Sequence, residues 1–593
     1  MRASHFHCAP IQPAPVGRTI ALTILVASLG ACGRPNQAPP LSNRVPSPWT
    51  EQTPLPVVLA APPAEVTEAI GNMVEGSATN PAPSSDERRA LAALYQSSSE
   101  PLLWVDPTLH PSDNAREALN RLNGADADGL EAADYQVERI TALGATLTAV
   151  TTPQPRDVAA FDVAVSLSMM RYLRHLHRGR VDPAAIGFLM NVPLDEHDYA
   201  ALVGSAARQS QVKETIETVT PPLAQYRILR AVLPRYRALA ADPTLRPLPP
   251  MSGKSFKPGD AVPALDLVRS RLIALGDLPV NAAVLSSPTL YEGEIVAGVK
   301  KFQGRHGLEA DGVLGKTTWA LINVPLSQRV RQIELAMERM RWLPHLGERP
   351  FVAVNIPMFR LWGWDTVPES GAPTFEMGAI VGKALDTRTP VFVEEMEYVI
   401  FRPYWNVPKS ILQTEILPKL RRDQDYLDSQ DMEMVEGESD EAKPVAPTAP
   451  NLSRLSRGEL RLRQRPGPKN ALGNVKFIFP NDDNVYLHST PAPDLFDRAR
   501  RDFSHGCVRV EDPLGLAVWA LQDQPAWTRD RIAAAMEGGA ASVRVPLTRP
   551  IRVVLYYVTA TVIPRDGAIH FAEDIYGQDP ALDQALTARR PRP

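Results

Sequence analysis

The pattern of apolar residues changes from helical to strand-like near residue 350, and this change constrains the fold more than any other feature. Between residues 86 and 250, apolar side chains recur at helical spacing, with the longest run from Phe161 to Leu176. Such stripes bury one face of a helix against its neighbours. After Pro350, short segments rich in Val, Ile and Phe, such as Phe351–Ile356, predict strands instead. We therefore expect a multi-domain α+β protein.

Length and composition set the number and kind of domains. The chain has 593 residues, more than one domain of about 150 residues would hold. With 44% hydrophobic and 22% charged residues, it has enough apolar side chains for packed cores. The formal net charge of −4 gives no basic surface, so we expect no nucleic-acid partner. The predicted domains are a helical scaffold over residues 86–250, a three-helix domain over 260–325, a β-sandwich-like domain over 350–576 and a tail over 577–593.

The N-terminus has the features of an export signal. Arg18 precedes an apolar run from Ile20 to Ala31, which is too short to span a bilayer and fits the apolar core of a signal peptide. The run ends in Leu29-Gly30-Ala31-Cys32, which resembles a bacterial lipobox. That resemblance implies removal of residues 1–31 and lipidation of Cys32. The alternatives are an ordinary signal peptide or a chance cysteine.

The residues after Cys32 predict a tether. Gly33 follows the cysteine, and its identity implies, by the same resemblance, an outer-membrane lipid anchor facing the periplasm. Residues 32–85 are rich in Pro, Ala, Ser and Thr, which predicts a disordered linker. A flexible coil of about 50 residues has an r.m.s. span of roughly 40 Å. We therefore expect a periplasmic lipoprotein that reaches away from its membrane.

The chain has three cysteines, Cys8, Cys32 and Cys507. Signal-peptide removal and lipidation would leave Cys507 unpaired in an oxidising compartment. A lone thiol there is a liability unless it is buried or kept for chemistry. No Cys or His spacing indicates a zinc site, so we expect no metal.

A second specific pattern lies between residues 260 and 325. It reads Phe302-Gln303-x-x-His306-Gly307-Leu308-x-x-Asp311-Gly312-Val313-x-Gly315. The glycines permit positive φ at a helix end and in a turn. The pattern is similar to the three-helix peptidoglycan-binding domain of cell-wall hydrolases and transpeptidases. The alternative is a small helical bundle that binds nothing.

The most specific pattern is Ser504-His505-Gly506-Cys507-Val508-Arg509-Val510, and fifteen residues separate it from the histidine of Tyr486-Leu487-His488-Ser489. It closely resembles the signature of L,D-transpeptidases, and the flanking segments 402–408, 463–468 and 470–473 agree. The resemblance covers residues 86–576 and is closest to the larger, multi-domain members. Many smaller members have Asn where this chain has Arg509.

The chemistry of this pattern follows from the residue types. A thiol is a weak nucleophile until it is ionised, and a neighbouring His can take its proton and hold an imidazolium–thiolate pair. The resemblance implies that Cys507 is the nucleophile, that His488 is the base and that the carbonyl of Ser489 orients the imidazole. If His505 and Cys507 lie on one strand, their side chains share a face. His505 would then shape the site or support the base.

Further residues are candidates for substrate binding. Gly506 lets a substrate approach the backbone closely, and its amide and the following one are candidate oxyanion donors. Arg509 pairs with a substrate carboxylate or, alternatively, forms a fold-stabilising ion pair. Tyr486 is a candidate to line the pocket. Trp405 either binds substrate or packs beneath an inserted lid.

That lid is predicted over residues 407–464, which interrupt the strand pattern. A helical stretch, 411–420, is followed by acidic and then Pro-rich sequence. The segment is too long for a plain loop. Its middle has little apolar surface, so we expect a loosely held lid that moves for substrate access.

The resemblance implies a reaction without metal or organic cofactor. Cys507 attacks the carbonyl at the L-centre of diaminopimelate in a donor tetrapeptide stem, and D-alanine leaves. The side-chain amine of a second diaminopimelate resolves the thioacyl-enzyme, which gives a 3→3 cross-link. The two helical domains would hold the glycan and raise the effective concentration of stem peptide. We expect a monomer whose partner is peptidoglycan.

Other acceptors would give other activities at the same site. Water would make the protein an L,D-carboxypeptidase, a lysine of an outer-membrane protein would make it a wall-anchoring enzyme, and a 3→3 bond as substrate would make it an endopeptidase. A rival of another class is a catalytically idle lipoprotein that binds peptidoglycan. The intact Ser-His-Gly-Cys pattern argues against that rival.

Overall fold

The computed structural model describes residues 64–588 except 76–82, 97–101, 189–195, 252, 254, 283–286, 345, 347–348, 369–370, 384–386, 424, 438, 539–541 and 564–566. Residues 60–593 group into one compact unit. The predicted signal peptide, Cys32 and residues 589–593 lie outside the described residues.

Helices form the first part of the chain, as the periodicity predicts. They are Ala64–Glu75 (α1), Ser85–Gln96 (α2), Asp113–Asn123 (α3), Val137–Thr148 (α4), Pro155–Arg178 (α5), Tyr199–Gln209 (α6), Val212–Val219 (α7) and Ala224–Ala241 (α8). Short 3₁₀ turns occupy Ala125–Asp128, Ala132–Tyr135 and Pro183–Ile186. The 24-residue α5 is buried around most of its circumference, including Phe161, Leu167 and Leu173. It is therefore the central helix of the scaffold.

The predicted linker is partly wrong, because its C-terminal end contains α1. Val66, Ile70 and Val74 are buried in the scaffold core, and α1 packs against α5. These three apolar residues are spaced by four, which places them on one helical face. The Pro- and Ala-rich composition of the surrounding segment hid this short stripe.

A small three-helix domain follows. Its elements are Ser255–Phe256 (β1), Leu265–Leu275 (α9), Glu294–Arg305 (α10), Leu314–Gly315 (β2) and Lys316–Ile322 (α11). The side chain of Gln303 donates to the Asp311 carboxylate at 2.8 Å and accepts from the Gly312 N–H at 2.8 Å. Gly312 has φ +76°, and a Cβ there would lie 2.9 Å from the Lys300 side chain. The Gln and the Gly of the sequence pattern thus close the turn before α11.

The helix Leu326–Met340 (α12) ties the scaffold to the rest of the chain. Its Glu338 and the following Arg341 are fully buried and paired at 2.7 Å. Arg341 also donates to the Tyr226 hydroxyl of α8 at 3.0 Å, and Glu338 accepts from the Val181 N–H beyond α5 at 3.1 Å. A buried ion pair stabilises a structure only when further hydrogen bonds compensate for its desolvation. The scaffold supplies those bonds, so α12 and the scaffold depend on each other.

The remainder of the chain is rich in strands, which confirms the predicted mixed architecture. The strands are Phe351–Asn355 (β3), Arg360–Trp364 (β4), Phe375–Gly382 (β5), Phe392–Phe401 (β6), Trp405–Asn406 (β7), Met432–Val435 (β8), Pro444–Val445 (β9), Arg461–Gln464 (β10), Val475–Ile478 (β11), Leu487–His488 (β12), Asp502–Ser504 (β13), Val508–Val510 (β14), Val543–Tyr556 (β15), Ala560–Val562 (β16) and Ile569–Phe571 (β17). The helices are Lys409–Ile411 (α13), Leu417–Leu420 (α14), Tyr426–Ser429 (α15), Ala449–Arg457 (α16), Pro513–Ala520 (α17), Arg529–Glu537 (α18) and Gln578–Ala588 (α19), with a π-helix at Leu412–Ile416 and 3₁₀ turns at Ile356–Met358 and Pro493–Asp497.

The main sheet has the order β13-β5-β14-β12-β11-β6-β15-β3-β4, and β4 also pairs with β5. The edge strand β4 thus hydrogen-bonds to the interior strand β5, and the sheet closes on itself. The two layers expected of a β-sandwich-like domain belong to one closed sheet. Its inward-facing residues, such as Val399, Phe477 and Leu487, form the core together with α17 and α18. Closure leaves β12 and β14 adjacent and rigidly supported.

The insertion predicted to be a loosely held lid is a folded subdomain. Strands β7, β10, β8 and β9 form a four-stranded sheet in that order. A separate core packs beneath it, with Leu412, Leu427, Met432 and Met434 all buried. The expectation of little apolar surface is wrong, because Met and Leu alternate with the acidic residues that dominate the composition. The insertion therefore has its own core.

The C-terminal segment, β16, β17 and α19, returns to the helices. Val562 and Phe571 join a core with residues of α8 and α12 such as Leu229 and Met337. Arg331 of α12 also pairs with Asp583 of α19 at 2.6 Å. The segment thus completes a core whose other half lies more than 200 residues earlier in the sequence.

Candidate active site

Three adjacent strands place the predicted site residues on one face of the main sheet. In the registers of β11, β12 and β14, Lys476 lies opposite His488 and His488 lies opposite Arg509. Side chains at paired positions point to the same face. Cys507 immediately precedes β14, and its thiol lies close enough to Lys476 and Arg509 for their charges to lower its pKa. The structure thus brings together Cys507, His488 and Arg509, together with a lysine that the sequence pattern did not single out.

The turn between β13 and β14 is fixed by side-chain hydrogen bonds. Gly506 has φ +113°, a conformation that favours glycine. Its carbonyl accepts from Thr389 Oγ1 at 2.7 Å, and its N–H donates to Ser504 Oγ at 3.2 Å. Ser504 Oγ in turn donates to the Cys507 carbonyl at 2.5 Å. The Gly506 amide is therefore occupied in this structure, contrary to its expected role as an oxyanion donor.

The same turn separates the two residues that were expected to share a strand. Ser504 ends β13 and Val508 begins β14, so His505 and Cys507 lie in the turn between them. His505 is 37% exposed and its Nε2 lies 2.6 Å from Oε1 of Glu415, in the π-helix of the insertion. The positive φ of Gly506 breaks the alternation on which the expectation rested. His505 contacts the insertion and not the thiol.

The imidazole of His488 is buried and has a defined tautomer. Its Nδ1 lies 2.6 Å from the carbonyl oxygen of Ser489. A carbonyl only accepts, so Nδ1 carries the hydrogen and Nε2 keeps its lone pair. Burial first, and then the positive charge of Arg509, lower the pKa of His488 to about 3, against the opposing effect of the Ser489 and Leu472 carbonyls. At neutral pH His488 is therefore an uncharged base.

The segment 470–473 holds that tautomer in place. Asn470 is fully buried; its Oδ1 accepts from the Leu472 N–H at 2.8 Å and its Nδ2 donates to the Pro403 carbonyl at 3.0 Å. Gly473 has φ +64°, and a Cβ there would lie 2.6 Å from the Ser489 side chain. Only glycine fits so close to the residue whose carbonyl orients His488. In the sequence these residues were visible only as a flank of the motif.

The thiol of Cys507 is half-buried and uncharged in this state. Burial raises its pKa, while hydrogen bonds from Tyr486 and the charge of Lys476 act in the opposite direction. The Sγ atom lies 3.7 Å from the carbonyl oxygen of Asn484. No hydrogen bond joins Cys507 to His488, both of which the structure describes. The expected imidazolium–thiolate pair is thus not the resting state.

Lys476 is a functional candidate that the sequence reasoning missed. Its Nζ lies 5.4 Å from the centroid of the Tyr486 ring, and that ring lies 5.7 Å from the His488 ring. Burial lowers the pKa of Lys476. Within the described ranges it forms no ion pair. A lysine in an alternating strand normally indicates a solvent-facing position, so only the fold reveals that this one borders the thiol.

A cavity of about 250 Å³ lies between this face and the insertion. Arg509, Trp405 and Glu415 are among its lining residues. The Nε of Arg509 is buried without a hydrogen-bond partner, and no carboxylate of the described part of the chain pairs with this guanidinium. Trp405 lines the cavity and also packs on the core of the insertion, so its predicted packing role is observed and substrate binding stays a prediction. Arg509 is therefore available to an anionic ligand.

We expect Arg509→Gln to move the acid limb of the rate–pH profile to higher pH. His488 must be unprotonated to act as a base, and removing a neighbouring positive charge stabilises its imidazolium form and raises its pKa. The control is Lys469→Gln, which removes a charge lining the same cavity that does not act on His488. The measurement is kcat/KM against pH. An acid limb at the same pH in both variants would contradict the electrostatic assignment.

Comparison with known families agrees with this geometry. A model of the L,D-transpeptidase catalytic domain matches residues 349–532. A model described as "Putative peptidoglycan binding domain" matches residues 263–322, and one described as "Scaffold domain" matches residues 89–233. The order of these matches is the order of the helical, three-helix and strand-rich regions described above.

Two individual proteins are similar to parts of the chain. A curated relative from Haemophilus influenzae, named "Putative L,D-transpeptidase", is 31% identical over 259 residues, which are 44% of this chain and 50% of the relative. The chain thus matches about half the length of that relative. A crystal structure of the L,D-transpeptidase (residues 123-326) from Xylanimonas cellulosilytica covers 52% of this chain and 100% of its own at 14% identity. Its TM-score of 0.15 is too low to argue for a shared fold.

Proposed function

We propose that this chain, whose residues 349–532 match the L,D-transpeptidase catalytic domain, is an L,D-transpeptidase that forms 3→3 cross-links between peptidoglycan stem peptides. The chain also has a peptidoglycan-binding domain, so peptidoglycan is its partner. The observation that carries the proposal is the cluster of Cys507, His488 and Arg509. A thiol, an uncharged base and an unpaired cation are thus neighbours, and the cation also lines the cavity beneath the insertion.

The reaction needs only groups already in that cluster. The Cys507 proton passes to Nε2 of His488 as Sγ attacks the amide carbonyl at the L-centre of diaminopimelate. His488 returns the proton to the departing amine of D-alanine, and a thioester remains. The side-chain amine of a second diaminopimelate then attacks the thioester and gives its proton to His488, which reprotonates the thiol. Lys476 and Arg509 favour the thiolate during these steps, because their charges lower the thiol pKa.

Arg509 supplies the binding contact that this substrate needs. The reacting carbonyl of diaminopimelate is flanked by carboxylates, and a guanidinium binds a carboxylate through two parallel hydrogen bonds. Arg509 has a buried Nε without a partner and faces the cavity. A carboxylate there would satisfy this donor and hold the scissile carbonyl near Cys507.

The insertion acts as a folded cover over this cavity. Glu415 and His505 join it to the Ser-His-Gly-Cys turn at 2.6 Å, and the core of the insertion keeps it rigid. Movement of the insertion as a body would therefore break the His505–Glu415 contact without unfolding the insertion.

We expect Glu415→Gln to change kcat/KM by no more than about fivefold, since exposed ion pairs contribute about 0.2–1 kcal/mol. His505→Gln should give the same change, and the double variant should not add the two, because both remove one contact. Lys419→Gln, on the next helix of the insertion, is the control. Additive losses would show that the two residues act independently.

Purified full-length protein incubated with tetrapeptide-rich sacculi tests the function. Mass spectrometry of the released muropeptides should show 3→3 dimers and free D-alanine in equal amounts. Free D-alanine without dimers would favour the carboxypeptidase alternative, and loss of existing 3→3 dimers would favour the endopeptidase. No change in any species would favour a non-catalytic wall-binding protein.

We also propose that the protein is held at the cell envelope by a lipid on Cys32. The lipobox-like sequence Leu29-Gly30-Ala31-Cys32 supports this proposal. Among the described residues no helix has the length and apolarity needed to cross a membrane. Cys32→Ser should move the protein from the membrane fraction to the soluble fraction, and an unchanged distribution would refute the anchor.

A further inference from the structure

A second, larger cleft lies between the peptidoglycan-binding domain, α12 and the catalytic domain. Its volume is about 790 Å³. The peptidoglycan-binding domain contributes Leu308 and Ala320 to its lining, α12 contributes Gln328 and Arg329, and the catalytic domain contributes Arg501. None of its lining residues borders the cavity beside Arg509. The volume lies within the range of small-molecule binding sites, about 300–1,000 Å³.

Arg329 is a buried cation on the wall of this cleft. It is 5% exposed, and its guanidinium carbon lies 4.6 Å from the centroid of the Phe571 ring. It donates to Gln332 Oε1 at 2.8 Å and to the Leu321 carbonyl at 3.3 Å. No carboxylate in the described part of the chain lies within ion-pair distance of it. Burial lowers its pKa to about 10, so it stays charged at neutral pH.

Arg501 faces the cleft in the same unpaired state. Its guanidinium donates to four backbone carbonyls, those of Phe359 at 2.9 Å, Arg498 at 3.0 Å, Phe496 at 3.1 Å and Ala379 at 3.3 Å, and no described carboxylate forms an ion pair with it. The adjacent Arg500 is different, because it pairs with Asp502 at 2.8 Å. The buried Arg329 and the half-buried Arg501 thus have hydrogen-bond partners but no carboxylate counter-ion among the described residues.

We propose that this cleft is a second binding site for peptidoglycan and takes a carboxylate-bearing muropeptide segment. The proposal rests on the proposed function only in its choice of ligand. One wall belongs to the peptidoglycan-binding domain, and the unpaired positive charges favour an anionic ligand over a neutral one. A stem peptide carries several carboxylates, which would supply the counter-ions missing at Arg329 and Arg501. The catalytic domain would then hold one strand at the cleft while Cys507 reacts with another.

Direct binding measurements with full-length Cys507→Ala protein test this site. The probes are a disaccharide-tetrapeptide muropeptide and, as a neutral ligand, the tetramer of N-acetylglucosamine. Gln328→Glu places a negative charge beside Arg329 at an exposed position of the lining, and should weaken muropeptide binding by at least ~5-fold. Ser327→Glu is the matched control, since Ser327 is exposed and does not line the cleft.

A variant that blocks the cleft sterically tests whether the muropeptide binds inside it. Ala320→Trp fills the cleft from an exposed position on α11 and should weaken binding by a similar factor, whereas Ala310→Trp, exposed outside the lining, should not. The proposal would be overturned if all four variants bound the muropeptide with equal affinity. It would also be overturned if the Cys507→Ala protein bound the neutral tetramer as tightly as the muropeptide. Failure of the proposed function can be told apart from failure of this cleft proposal. If the proposed function is wrong, protein with Cys507 intact releases no D-alanine, whatever ligand the cleft binds.

Discussion

Cys507→Ala should lower D-alanine release from tetrapeptide stems by at least ~10⁴-fold, the scale expected when a covalent nucleophile is removed. The remaining groups on the sheet face cannot form a thioester, so no cross-linked product should appear. The thiol is half-buried and, among the described residues, its sulfur forms no disulfide, so its loss should leave packing unchanged. Unfolding temperature and circular dichroism provide the control for the fold.

A covalent probe gives an independent readout of the same residue. A strained β-lactam such as a carbapenem presents an activated carbonyl beside a carboxylate, and Cys507 should form one thioester adduct per chain with it. Intact-protein mass spectrometry measures that adduct. Substantial turnover by Cys507→Ala, or an adduct that persists in it, would assign the nucleophile to another residue.

His488→Ala should lower kcat by about 10²–10⁴-fold, the range for loss of a general base. The substitution removes the unprotonated Nε2 that receives the thiol proton, and no other described histidine lies on this face of β12 and β14. His505→Ala is the matched comparison, because it deletes a histidine two residues from Cys507 that contacts Glu415 instead. It should cost about fivefold or less.

Single-turnover acylation by a tetrapeptide donor measures both variants, since it isolates proton removal from product release. A larger loss in His505→Ala than in His488→Ala would mean that the roles of the histidines are reversed. A loss confined to the deacylation step would mean that His488 acts only on the acceptor amine.

Cys507 and His488 could be singled out from the sequence because their spacing is a linear pattern. Their surroundings were not, because they depend on strand register. Lys476 and His488 are adjacent only through the pairing of β11 with β12, which no local pattern encodes. His505 was expected beside the thiol because alternation was extended through Gly506, whose φ of +113° ends it. The sequence could have raised this doubt, since glycine often marks a break in a strand.

Composition misled the sequence analysis in two segments. Pro and Ala dominate the segment before α1, although three apolar residues at helical spacing bury themselves against α5. Acidic residues dominate the middle of the insertion, although Met432 and Met434 face its core. In both segments the spacing of a few apolar residues decided the structure. The helical scaffold and the strand-rich domain were predictable because their apolar patterns are long.

The return of the C-terminal segment to α8 and α12 has a consequence for how the molecule is made. Val562 and Phe571 complete a core with Leu229 and Met337, yet they are synthesised hundreds of residues later. Contacts so distant in sequence form slowly, because a long loop must close first. The two helices pack against each other, but the part of their core that Val562 and Phe571 cover stays open until residues 560–588 have been synthesised. The nascent chain therefore needs shielding from aggregation and proteolysis until its last helix arrives.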